Sequence, residues 1–115
     1  MDWHKVITAE EHQAALLPVN GLMQVIINGK KICLARNQMG YFAIQDNCPH
    51  AGGILSRGWC EGNRVICPVH RYAYDLRTGR GVADQGDAVK TYPVEEREDG
   101  IYLGIKDAWA WLKPG

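Results

Sequence analysis

The chain is 115 residues and 12.9 kDa, with thirteen Lys and Arg balanced by thirteen Asp and Glu. That size fits one compact domain burying about two-thirds of its unfolded surface, and zero formal net charge excludes binding to nucleic acid or a membrane surface through bulk charge. A hydrophobic share of 46% with thirteen glycines and one phenylalanine excludes a disordered or collagen-like chain and anticipates many tight turns.

The opening MDWHKVITAEEH has no apolar h-region and no small-residue cleavage site, and no apolar run is long enough to span a bilayer. The expected location is the cytoplasm. Thr8 with Glu11 three residues on reads as a capping box, and the apolar residues 14–17 continue that helix until Pro18 stops it after two or three turns. From there the period changes to alternation. Residues 24–27 and 30–36 flank Asn28-Gly29, a dipeptide that tolerates the positive φ angles of a type I′ turn, and so predict a hairpin. A turn over 37–40 leads into a third strand over 41–44. Asp99-Gly100 divides a second hairpin, residues 91–97 against 101–105, and Trp109 and Trp111 alternate like one more strand or a packed tail. Short strands separated by turns predict an all-β chain, an antiparallel sandwich or barrel forming one domain over residues 1–115.

Residues 46–81 interrupt the alternation. They hold two of the four histidines, three of the four cysteines and glycines at 52, 53, 58, 62, 79 and 81. The segment is expected to be an inserted subdomain whose folding depends on something other than a large apolar core. Within it, Cys48-Pro49-His50 is followed, after a sixteen-residue gap, by Cys67-Pro68-Val69-His70. Two Cys/His pairs at the tips of Gly/Pro-rich loops point to a metal site. A mononuclear zinc site in a structural or regulatory module could use two Cys and two His, although zinc ligands usually pair like with like. Loops that each mix the two ligand types suit a two-iron site, one iron taking both thiolates and the other both imidazoles.

The segments CPHAGG (48–53) and CPVHRYAYDLRTGRG (67–81) resemble the two cluster-binding loops of Rieske iron–sulfur proteins, and the turn at Asp75…Thr78-Gly79 and the closing strand pair around Asp99-Gly100 resemble soluble members of that family. The similarity extends over nearly the whole chain. It implies a Rieske-like fold with a cluster-binding subdomain over about 46–81. Cys48, His50, Cys67 and His70 would ligate one [2Fe–2S] cluster, the cysteines on the deeper iron and the histidines nearer solvent. Respiratory and photosynthetic members brace the cluster with a disulfide, but the corresponding positions here are Gly53 and Val69, and no membrane anchor is present in the sequence. The resemblance is therefore to Rieske-type ferredoxins, which carry electrons from a flavoprotein reductase to a terminal oxygenase. The small subunit of assimilatory nitrite reductases, assembled with a large reductase subunit, uses the same fold and is the alternative. Either way the chain would be an electron-transfer component, with no substrate chemistry of its own.

The same resemblance bears on the potential. High-potential relatives have a serine where this chain has Tyr72, which implies a low value, while Tyr74 matches a tyrosine whose hydroxyl reaches a cysteine sulfur, which implies a higher one. A low to intermediate potential is expected, lowered further by Tyr74→Phe. Cys33 and Cys60 read as structural thiols, and His4 and His12 as surface residues. Gly52, Gly53 and Gly79 are expected to let backbone amides approach the cluster. Residues 46–80 carry five arginines (57, 64, 71, 77 and 80) against Asp46, Glu61 and Asp75. This end either docks on an acidic partner patch or pairs its arginines locally with those acids.

Overall fold

Asn28 and Gly29 adopt φ angles of 50° and 79°, the two left-handed residues that a type I′ turn demands. They close the hairpin of β2 (Leu22–Ile27) and β3 (Lys30–Asn37), in register from Leu22 opposite Ala35 to Ile27 opposite Lys30. β3 then turns at Gln38-Met39 into β4 (Gly40–Gln45), as the sequence predicts. These are parts of a computed structural model that describes residues 1–49, 52–69, 71–82 and 86–106; Trp109 and Trp111 lie outside them.

Among the described residues there are three antiparallel sheets. The first has the order β1–β10–β9, where β1 is Asp2–Thr8, β9 is Val94–Arg97 and β10 is Gly100–Ile105. The second has the order β2–β3–β4–β8, with β8 the short Thr91–Tyr92. The third is β5 (Trp59–Glu61), β6 (Arg64–Ile66) and β7 (Ala73–Asp75) in sequence order. The strand expected over 91–97 is thus two strands in different sheets. Thr91 and Tyr92 pair with Ile44 and Ala43 of β4, whereas Val94 onward pairs with β10. Pro93 sits at the switch, where it cannot donate to either ladder, and its carbonyl accepts from Gly104 N at 2.9 Å.

The helix is also shorter than its apolar residues suggest. α1 spans Ala9–Gln13, with the expected capping box: Thr8 Oγ1 accepts from Glu11 N, and Glu11 Oε1 accepts from Thr8 N. Ala15 enters the left-handed region at φ 54°, which ends the helix. The chain then delivers Leu17, 2% exposed, to the core.

The middle of the central sheet, residues 32–35 of β3, is buried on both faces, and this positions everything else. Ile32 and Leu34 of β3 pack with Ile7, Ile101, Leu103 and Ile105 of the first sheet. The intervening Cys33 and Ala35 face the other way, into a second core with Cys48, Leu55, Val65, Cys67, Tyr74, Leu76 and Val89. The period of two along one strand therefore serves two cores. Segment 46–81 shares this second core with Cys33, Ala35 and Ile44 of the central sheet, and each fully buried Leu or Val in it contributes about 1.5–3 kcal/mol. Asn37, 4% exposed, ties the β3–β4 turn to that segment by donating to Gly62 O and Asn63 Oδ1 at 3.2 and 3.0 Å.

Candidate metal centre

The first loop leaves β4 at Asp46, whose side chain is 2% exposed. Its carboxylate accepts from Ser56 N, Ser56 Oγ and Gln24 Nε2 at 2.7, 2.8 and 2.5 Å. Its backbone amide reaches Lys31 O, and its carbonyl accepts from Leu55 N. A buried charge with this many donors is satisfied, and it clamps both ends of the loop to the central sheet. Inside the clamp the loop folds back on itself, with Cys48 N donating to Gly53 O at 2.8 Å and Gly52 N to Cys48 O at 2.9 Å.

The second loop joins β6 to β7. Cys67 N donates to Tyr72 O at 2.6 Å, and Arg71 takes a left-handed φ of 58° to allow the reversal. Beyond β7, Asp75 forms the expected turn. Its Oδ1 accepts from Arg77 N and Thr78 N at 2.8 and 2.9 Å, and Gly79 N donates to Asp75 O. Gly79 serves this turn and a close packing contact, not a cluster amide: its φ is 79° and an added Cβ would lie 2.1 Å from Val89 O.

The two loops bring Cys48 and Cys67 together. Both are fully buried, and their side chains are within hydrogen-bonding reach of each other. Burial raises the Cys67 thiol pKa and the Cys48 side chain adds to the rise, while backbone amides of Val69 and Gly53 aimed at its sulfur oppose it. Gly53 leaves the room for this pair, because a Cβ there would stand 2.8 Å from Cys67 Sγ and 2.9 Å from Val69 Cγ2. Tyr74 closes the floor. Its hydroxyl lies 3.3 Å from Cys48 Sγ and 2.9 Å from Asp87 Oδ2, and its pKa is pushed up by burial, then by Cys48 and Asp87. Two adjacent buried thiols with amides directed at sulfur and a glycine-sized gap fit a thiolate-ligated cluster. His50 and His70 lie outside the described residues.

Residues 2–93 match the protein family described as Rieske [2Fe-2S] domain. The chain belongs to that family. The ferredoxin component of the naphthalene 1,2-dioxygenase system of Pseudomonas aeruginosa is 31% identical over 90 residues, covering 77% of this chain and 86% of that one. The fold is shared with the ferredoxin of carbazole 1,9a-dioxygenase from Nocardioides aromaticivorans, at a TM-score of 0.79 and 23% identity over 92% of this chain and all of that one. It is shared equally with a putative NADH-dependent nitrite reductase small subunit from Mycobacterium tuberculosis, TM-score 0.79 and 21% identity over 93% and 97% of the two chains. The cofactor of this Rieske domain is a [2Fe–2S] cluster and its role is electron transfer, so the zinc-module reading is set aside.

The remaining sequence expectations sort physically. Cys33 is fully buried and Cys60 half-buried, both with raised pKa values, as structural thiols should be. His4 and His12 are half-buried, not surface residues; His12 Nδ1 lies 2.8 Å from Tyr41 Oη against its ring. Arg57, Arg64, Arg71, Arg77 and Arg80 of the Rieske domain are all exposed. The three acids available to them have other partners: Asp46 its Ser56 and Gln24 donors, Asp75 the turn amides, and Glu61 the Trp59 Nε1 at 3.0 Å. Arg77 does add attraction at Asp75. Two residues went unnoticed as site elements: Asp46, read as a partner for arginine, and Asp87, which carries no local signal in sequence.

Proposed function

We propose that Cys48, His50, Cys67 and His70 hold the cluster, and that this chain is the ferredoxin of a multicomponent oxygenase system. The observation that carries the ligand assignment is the burial of Cys48 and Cys67 side by side at the convergence of the two loops. When bound, the cluster takes up and gives back one electron. The chain's part is to supply two thiolates from a water-excluded floor and two neutral imidazoles, which leave the centre less negative than four thiolates would. That substitution places the potential within about −150 to +300 mV. The amides of Gly53 and Val69 directed at Cys67 Sγ stabilise negative charge on that sulfur and favour the reduced form.

Support for the oxygenase setting comes from the naphthalene dioxygenase ferredoxin component, whose length the similarity largely covers. In this reading a flavoprotein reductase donates the electron and a terminal oxygenase receives it, in the cytoplasm, with no substrate chemistry on this chain. No helix among the described residues is long and apolar enough to cross a membrane. Segment 46–81 acts as the cluster-binding subdomain of a single domain, and its exposed arginines offer a basic face to an acidic patch on a partner.

Anaerobic purification followed by iron and acid-labile sulfide assay, absorption and electron paramagnetic resonance tests the ligand set. Two irons and two sulfides per chain are expected, with loss of both in His50→Ala and His70→Ala. A normal reduced-state resonance in either variant overturns the assignment. Capture of partners from native extract separates an oxygenase from the large subunit of a nitrite reductase.

A further inference from the structure

The Tyr74 hydroxyl sits between two acceptors and has one proton to give. Cys48 Sγ is 3.3 Å away and Asp87 Oδ2 is 2.9 Å away. A thiolate bound to iron has no proton of its own, so in the loaded protein a bond between Tyr74 and Cys48 requires the phenol to donate. The carboxylate is the better acceptor. Its charge is concentrated on two small oxygens, and charge-assisted O–H···O bonds are about twice as strong as neutral ones. The charge of an iron-bound sulfur is shared with the metal, and its larger radius holds the donor further off.

Asp87 is not there by side-chain chance. Its carbonyl accepts from Gly81 N at 2.9 Å, Gly81 bridges to Tyr74, and Arg80 bridges to Ala88. The chain that returns from the second loop is therefore registered against β7, with Asp87 facing the Tyr74 hydroxyl. Tyr74 is itself fully buried, so its hydroxyl has little freedom to leave this pair.

We propose that Asp87 draws the Tyr74 proton away from the Cys48 sulfur and so holds the centre's midpoint below the value that Tyr74 would otherwise set. Asp87 is a positioning residue, acting on the cluster through the orientation of one O–H bond. The proposal rests on the ligand reading above. It also changes what Tyr74 is expected to do, because a hydroxyl turned toward Asp87 adds little to the potential, and removing it subtracts little.

The test is a cycle of four proteins: wild type, Y74F, D87N and the double variant. Iron, sulfide and the reduced-state resonance are measured on each before potentiometric titration. Y74F alone is expected to move the midpoint slightly, D87N to raise it, and Y74F made in the D87N background to lower it by clearly more than in wild type. The last comparison separates this role from a direct charge effect of Asp87, which would shift the midpoint equally with and without the tyrosine hydroxyl. Equal shifts in the two backgrounds, or no rise in D87N, overturn the proposal. If D87N does not fold, Y74F alone still decides, since a large fall with Asp87 in place means that the proton was on sulfur all along. Wild-type protein without a cluster overturns the ligand reading itself, and this inference with it.

Discussion

The Cβ position of Gly53 lies 2.8 Å from Cys67 Sγ, so the first cysteine loop is glycine at the point where it passes the sulfur of the second. The reason is space, since the φ of Gly53 is not in the left-handed region. Gly53→Ala must push Cys67 or Val69 aside in a buried site, and overpacking of this kind costs about 1–3 kcal/mol. Iron per chain is expected to fall together with the thermal midpoint. Gly52→Ala is the control: its φ of 69° costs about 1–2 kcal/mol in an L residue, but nothing among the described residues lies within 4 Å of the new methyl. Full iron content in Gly53→Ala would show that the two loops do not need this gap.

Asp46 holds the first loop to the central sheet through Ser56 and Gln24. Removing it leaves the Ser56 amide and hydroxyl without their acceptor beside the second core. Hydrogen bonds to charged groups contribute about 1.5–3 kcal/mol, so Asp46→Ala should cost about 3 kcal/mol in denaturant unfolding and speed loss of iron to a chelator. Ser56→Ala keeps the Ser56 amide bond and should cost about 1 kcal/mol. Equal, small effects of the two would remove the clamp from the account.

Much of this architecture is legible in the residues because it is local. Thr8 with Glu11, Asn28-Gly29 and Asp75…Gly79 each encode a hydrogen-bonded turn or cap within a few positions, and all three form as read. The paired C-P-H and C-P-x-H tips are legible as a candidate ligand set for the same reason, since the chemistry of such a set is written in residue type and spacing. What is hidden depends on distant contacts. β1 shows no alternation because Ile7 is its one buried residue and a register shift between Lys5 and Ile7 breaks the period. The second core needs Cys33 and Ala35 to face Leu55 and Tyr74, which nothing near any of these residues announces. Asp87 meets Tyr74 through a return of the chain, thirteen positions on.

Asp75 makes the stability of the second loop pH-dependent. Burial alone would raise its pKa, but the amides of Thr78 and Arg77 and the Arg77 guanidinium outweigh it and hold the carboxyl below the ordinary Asp value. A depressed folded-state pKa means stability that is present above the unfolded value, about 3.9, and lost as pH falls through the lower folded value. In wild type the contribution is therefore intact at neutral pH and disappears below about pH 4. Asp75→Ala should lower stability by about 1–2 kcal/mol at pH 7. The gap between the two proteins should close as pH falls. A gap that stays constant down to pH 3 would assign the loss to the side chain's packing, not to its charge.

The two cysteines outside the loops should be inert for an electrostatic reason. Burial pushes the Cys60 thiol up to about 11; for Cys33 burial, then Asp46 and Cys60, push it higher still. At pH 8 a group with a pKa near 11 is thiolate in about one molecule per thousand, against about a quarter for an unperturbed cysteine. Alkylation of native protein by iodoacetamide should therefore be about a hundredfold or more slower at Cys60 than at a free thiol, rising about tenfold per pH unit toward pH 10. Cys60→Ser should keep its full iron content, because this half-buried thiol sits on β5 outside both loops. Cys48→Ser and Cys67→Ser should not. Rapid labelling of Cys60 at pH 8, or iron lost on its replacement, would mean that this thiol faces the metal and that the ligand set extends beyond the two loop tips.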